Sequence, residues 1–292
     1  MLSQLILNGV IAGSQYSLVA IGFSLIYRTN HFLHFTHGAI YVLGAYFTYF
    51  FTIQNNVPFL VAVSLSLTLC CCLGLLLEML FYRPLRARRA SPTVLFLTSL
   101  GLFITIQNTV SLAWGDEMKS IRSGSVKEGM WILNAAITPV QLLGLVVSTG
   151  LSIAVLVLLY RTPFGRQVRA VSDDTLLSQI CGISSKRIIL ATLILGSFLA
   201  GAAGILKAMD SDMIPTMGFN ALLIVVVAIV AGGLNSTAGS LIGAYFVGLA
   251  EHLGVWLLPT QWQQAVVFGV LLLWLLFRPE GILGTRVRTS NV

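Results

Sequence analysis

Few residues of this 292-residue chain can do chemistry, and their spacing limits what they can do. Glu251 stands in an apolar run. A carboxylate in hydrocarbon is expensive, so it must face a polar cavity or a partner. Two roles stay open for it: a group on a transport path, or a packing group bonded to a neighbouring helix near the outer headgroups. His252 beside it points about 100° away on a helix and is not its partner. His31, His34 and His37 recur every three residues, a spacing open to metal ligation. No acidic or cysteine residue accompanies them, so no metal is expected. His37 and Gly38 are read instead as shaping a helix entrance, where Gly38 allows a chain reversal that a Cβ would hinder. Glu78 lies about one turn before Arg83 and is read as forming an ion pair there. Asp173 and Asp174 are adjacent on a basic segment, unlike the two carboxylates of an intramembrane protease. H-E-x-x-H, G-x-S-x-G and G-x-x-x-x-G-K-[ST] are all missing from the sequence. No enzymatic activity, cofactor or ATP site of its own is expected. Cys70, Cys71, Cys72 and Cys181 contain no C-x-x-C and read as small packing residues.

The elements that position these residues are membrane spans. The chain is 57% hydrophobic and only 9% charged, where a soluble domain carries about 25% charged residues. Its apolar runs are continuous and about 20 residues long, which points to helices and away from a barrel. Four of them close on an aromatic residue and an arginine: Tyr27-Arg28, Tyr82-Arg83, Tyr160-Arg161 and Phe277-Arg278. Aromatic rings favour the headgroup zone and arginine the cytoplasmic side. All four runs therefore leave the bilayer through one leaflet. Nine spans satisfy that parity, at roughly 3–27, 35–53, 58–80, 93–113, 139–160, 189–208, 219–235, 238–258 and 261–277. The N-terminus is then outside and the C-terminus cytoplasmic. The chain is expected to be an all-α polytopic bundle, one transmembrane domain over 1–292. Thirteen of its 17 basic residues fall on the inner side in this scheme, so the net charge of +7 reflects topology. It is not a nucleic-acid footprint. Segment 114–138 is expected to be external and 81–92 internal. Gly9/Gly13 and Gly239/Gly243 form two G-x-x-x-G pairs suited to close helix approach.

Segment 161–188 is the longest internal loop. Pro163 and Gly165 break the preceding span. Val168, Val171 and Leu176 mark one side of a short amphipathic stretch, Asp173-Asp174 can cap a second helical piece, and Gly182 ends it. A structured inner loop with apolar teeth is what docking to a soluble partner requires.

Five blocks in order carry a resemblance. They are Gly22-Phe-Ser-Leu-Ile-Tyr27-Arg28-Thr29-Asn30 with Phe35-Thr36-His37-Gly38 and Gly44-Ala45-Tyr46; Glu78 with Tyr82-Arg83-Pro84-Leu85-Arg86; Gly165-Arg166, Arg169-Ala170-Val171 and Gly182-Ile183; Gly232-Gly233-Leu234, Gly239, Gly243-Ala244 and Glu251; and Arg278-Pro279-Glu280-Gly281-Ile282-Leu283-Gly284. Together they resemble the permease subunits of branched-chain amino-acid ABC importers. Departures are His34 where asparagine is usual, Thr36 for alanine, Leu177-Ser178 for a small pair, and Asn235 for glycine. The resemblance implies an ATPase-coupling set of Gly165, Arg166, Arg169, Ala170, Asp173, Asp174, Leu177 and Gly182. It implies a substrate path near Gln15, Asn30, His37, Gly38, Gly232, Gly233 and Glu251. The implied partners are a second, different permease subunit, two cytoplasmic ATPase subunits, an extracytoplasmic solute-binding protein and the bilayer, with no nucleic acid. The implied location is a bacterial-type inner membrane. Three alternatives remain: a urea or short-amide permease of the same family, an ion-coupled secondary transporter, and a passive urea-type channel.

Overall fold

The computed structural model describes residues 1–122, 129–132, 135–256, 258–278 and 281–283. The basic residues Lys127, Arg286 and Arg288, and the motif positions Pro279, Glu280 and Gly284, lie outside the described residues. The elements are α1 (Leu2–Asn30), α2 (Thr36–Tyr49), α3 (Phe59–Leu77), α4 (Arg83–Ala87), α5 (Pro92–Trp114), β1 (Met130–Ile132), β2 (Ala135–Ile137), α6 (Pro139–Arg161), α7 (Pro163–Asp173), α8 (Thr175–Ile180), α9 (Ser185–Asp210), α10 (Met217–Gly232), α11 (Thr237–Gly254) and α12 (Gln263–Phe277). Five-residue π turns at Phe50–Gln54 and Glu78–Tyr82 prolong α2 and α3. The chain is an all-α polytopic membrane protein.

Among the described residues, six helical stretches are long and apolar enough to cross a bilayer: Leu2–Asn30, Phe59–Ala87, Pro92–Trp114, Pro139–Arg161, Ser185–Asp210 and Thr260–Phe277. α10 and α11 pass together as a pair bent by 119°. Helix also occupies the place expected for the second span, but α2 has only 14 residues.

Small residues decide which helices meet. Apolar side chains gain little by leaving lipid for another helix, so close backbone approach is the main source of packing energy. A Cβ on Gly9 would lie 2.9 Å from the Leu249 Cα, and one on Gly13 would lie 2.8 Å from the Tyr245 Cα. The order of these contacts, and the Arg28–Thr237 hydrogen bond further along, makes α1 and α11 antiparallel. Both G-x-x-x-G pairs are used as expected, since Gly239 and Gly243 press on Gly232 and Ala228 of α10. α9 crosses the same centre, with Gly196 against Gly22, Gly201 against Gly44 and Gly204 against Tyr41.

The connections hold three surprises. α1 stays helical through Asn30, three residues beyond the expected end, and His31 then turns left-handed at φ 56°. Gly38 has no positive φ. Its missing Cβ instead admits α10: the Leu222 side chain would lie 2.5 Å away and the Gly218 carbonyl oxygen 2.8 Å. The expected reversal at Gly38 is therefore made at His31. Between α5 and α6, β1 and β2 pair as an antiparallel hairpin, and Lys119 bridges Met213 of the α9–α10 connection.

Candidate functional site

The loop between α6 and α9 folds into two capped helices. Thr162 accepts from the Gly165 N–H at 3.3 Å and starts α7. Gly165 packs against the Leu159 carbonyl, where a Cβ would collide with it. Asp174 accepts from the Leu176 and Leu177 N–H groups at 2.8 and 2.9 Å and starts α8. This is an N-cap, in which a carboxylate satisfies donors that the helix leaves open. Gly182 ends the loop with φ 81°, a conformation open to glycine at little cost.

Of the three residues expected to mark one side, Val168 and Val171 are buried. Leu176 is not: it is 74% exposed, beside Leu177 at 58% and Ile180 at 82%. The cap at Asp174 restarts the helix, so the periodicity of α7 does not carry into α8. Arg166, Asp173 and Asp174 are also exposed, and Ala170 is half-buried. Arg169 is folded back onto the end of α6. Its guanidinium donates to the Leu159 carbonyl and lies 5.8 Å from the Tyr160 ring centroid. Arg169 therefore holds α7 against α6 and does not point outward with the rest.

The substrate-path residues fall in three places. At the middle of α1, Glu251 is 8% exposed and accepts from the Tyr16 hydroxyl at 2.9 Å. His252 turns to the Gly248 carbonyl instead, in keeping with the expectation that it is not the partner of Glu251. Gln15, next to Tyr16, is buried against α6, with Gly144 close by and its Nε2 unpartnered among the described residues.

Further along α1, His37 is fully buried. Its Nε2 lies 3.2 Å from the Val19 carbonyl oxygen and its ring stands edge-on to Phe23. His34 is also fully buried, against Phe32, Tyr82 and His37, and neither ring nitrogen has a partner among the described residues. The entrance to α2 is braced by Thr36, which donates to the Ser99 carbonyl at 2.8 Å and meets the Tyr82 hydroxyl at 2.9 Å. Among the described residues no group of acidic, cysteine and histidine side chains could hold a metal.

At the far end, Asn30 accepts from Arg86 at 2.5 Å. Arg86 is also the ion-pair partner of Glu78. Arg83 had been expected in that role, but the π turn widens the helix between them and brings the later arginine onto Glu78. Gly232 and Gly233 make the α10–α11 turn, Gly233 with φ 110°. Ser236 caps α11 there by accepting from Gly239 at 3.0 Å. The Ile282 and Leu283 N–H groups donate to the carbonyls of Ala231 and Gly232. Sequence reasoning missed Tyr16, Tyr82, Ser99 and the role of Arg86. Tyr16 and Ser99 carry no local signal, because their partners lie on other spans.

Residues 5–276 match the family described as branched-chain amino acid transport system, permease component. The chain is 33% identical to the high-affinity branched-chain amino acid transport system permease protein BraD of Pseudomonas aeruginosa, over 96% of this chain and 95% of that protein. It is 30% identical to the corresponding LivH of Escherichia coli K12, again over 96% and 95%. Among solved structures, PsaBC from Streptococcus pneumoniae in complex with Fab aligns with TM-score 0.52 and 12% identity. That match covers 94% of this chain and 91% of the other, and it speaks to fold alone.

Proposed function

The chain belongs to the permease family of branched-chain amino acid transport systems, and from that premise we propose that it forms half of the translocation path of an ATP-driven importer for branched-chain or other neutral amino acids. The observation that carries the reading is the pair α7–α8. Two capped helices present Leu176, Leu177 and Ile180 outward, which suits a groove on a soluble ATPase subunit. In this reading two such ATPases, a second and different permease subunit and an extracytoplasmic binding protein complete the machine in an inner membrane. Gly165, Arg169 and Gly182 shape the coupling element. Arg166, Ala170, Asp173, Asp174 and Leu177 are available for contact.

Nine crossings, with the N-terminus outside and the C-terminus inside, agree best with the pairings. The 119° bend turns α11 back toward the face that α10 came from, so the pair leaves parity unchanged whether it spans twice or re-enters. The ends of α10 and α12 also meet, through Ile282 and Leu283. With a background lacking the four cysteines, Met118→Cys should react with an impermeant reagent from outside and Ser172→Cys should not. The reverse pattern rejects this topology.

The coupling role is tested by Leu177→Asp with Ile180→Asp. Co-purified ATPase and solute-stimulated ATP hydrolysis should each fall roughly tenfold or more, since burying two charges in an apolar contact is costly. Full retention of both by a folded variant would reject α8 as the coupling element. The solute is read from binding by the cognate binding protein: leucine is expected to bind and urea is not.

A further inference from the structure

We propose that the cleft between α4 and the α8–α9 junction is a binding site for an anionic phospholipid, with the headgroup phosphate on a basic rim and an acyl chain along an apolar floor. The cleft has a volume of about 590 Å³. Its rim carries Arg83, Arg86, Lys186 and Arg187, and its floor is Met79, Ile189 and Leu190.

Three observations point to a lipid. First, the charges are unbalanced. Among the described residues Glu78 is the only carboxylate lining the cleft, and it is taken by Arg86. Arg83, Lys186 and Arg187 are exposed, and none has a carboxylate within ion-pair distance among the described residues. Three cations gathered without counter-charge attract a phosphate, and basic pockets between spans at the headgroup level suit lipid headgroups. Second, the floor belongs to the hydrocarbon. Met79 is 50% exposed and continues into the exposed Leu76, Leu80 and Phe81, so an acyl chain can enter from the side without crossing a polar barrier. Third, one residue of the rim is held in place before any ligand arrives. Arg86 is tied to both Glu78 and Asn30, which lowers the entropy lost on binding.

An acidic surface of a soluble partner is the competing occupant. The geometry favours the lipid because Thr175 and Gln179 line the cleft, while Leu176, Leu177 and Ile180 project from the other sides of α8. A phospholipid seated here would support α8 from behind. The proposal depends on the chain's being a membrane protein and not on which solute it carries, so a failed transport assay leaves it intact.

The test is native mass spectrometry of the purified complex carrying wild-type permease, Arg83→Gln with Lys186→Gln and Arg187→Gln, or Arg88→Gln with Arg89→Gln. Arg86 is left in place to keep Glu78 paired. Each complex is titrated with phosphatidylglycerol in excess phosphatidylcholine. Wild type and the Arg88/Arg89 control should retain phosphatidylglycerol, and the triple variant should need roughly tenfold more or worse. Melting temperature should confirm that the triple variant is folded. Equal retention by the triple variant overturns the proposal, as does equal loss in the control. Displacement by inorganic phosphate in the millimolar range would assign the rim to a free anion instead. Loss of ATPase subunits with lipid retention unchanged would assign it to the soluble partner.

Discussion

α1 and the stretch Thr260–Phe277 that contains α12 are nearly equal in hydropathy, yet 83% of the core stretch of α1 is buried within the chain and only 6% of the other. The difference lies in residue size. α1 carries Gly9, Gly13, Ser14, Ser17, Ala20, Gly22 and Ser24 where other helices touch it. α12 has one glycine, Gly269, and a Cβ there would meet nothing within 4 Å. Hydropathy reports that a helix can live in the membrane. Small residues report whether it lives at the centre of the bundle, because only backbone approach separates a helix neighbour from lipid.

The largest effect should come from breaking the centre. Gly13→Leu drives a side chain into the Tyr245 backbone, which cannot yield, and the recovered folded protein should fall at least tenfold. Gly269→Leu should leave recovery unchanged. Fluorescence-detected size exclusion reads both, and equal behaviour of the two variants would break the comparison. A smaller effect is expected within the central seam from Glu251→Gln. The amide still accepts from Tyr16, so assembly should hold. Uptake per assembled complex should fall roughly five- to tenfold, the scale of the difference between a hydrogen bond to a carboxylate and one to a neutral amide. Normal uptake per complex would reduce Glu251 to a packing group. The smallest effect belongs to the exposed rim. Hydrogen bonding to the Arg122 guanidinium holds the Asp212 carboxyl below its ordinary range. Any support from that pair is present above the usual carboxylate range and is lost only as pH falls through the lowered value. An exposed pair contributes little, so Asp212→Asn should move the melting temperature by about 1 °C or less. A larger shift would show that the 119–122 segment anchors the fold.

Features set by neighbours in sequence were legible. The Asp174 cap, the left-handed Gly182 and both G-x-x-x-G contacts follow from local spacing. The apolar runs placed helices at all nine expected positions. What failed depended on distance or on departures from regular period. The π turn after Leu77 shifted Glu78 from Arg83 to Arg86. The hairpin at 130–137 is too short and too apolar to stand out beside the following span. Leu176 looked like a continuation of the Val168–Val171 face because the restart at Asp174 resets the phase. The three-part scatter of Gln15, His37 and Gly232 could not be foreseen, because spacing along a chain does not give depth in a folded bundle. The Glu251–Tyr16 bond joins residues 235 apart, and nothing in either local sequence names the other.

The bend between α10 and α11 also has a mechanical meaning. If α11 moved as a rigid arm about Gly233, Glu251, 14 residues beyond Thr237, would lie roughly 21 Å along that arm. A swing of about 10° at the pivot would carry Glu251 some 3.5 Å sideways, further than the length of its bond to Tyr16. The bond therefore survives a stroke only if α1 rides with α11 as one lever, which the glycine contacts along both favour. The four-residue turn between α10 and α11 and the Tyr16–Glu251 hydrogen bond would then act as fulcrum and gauge of the same movement.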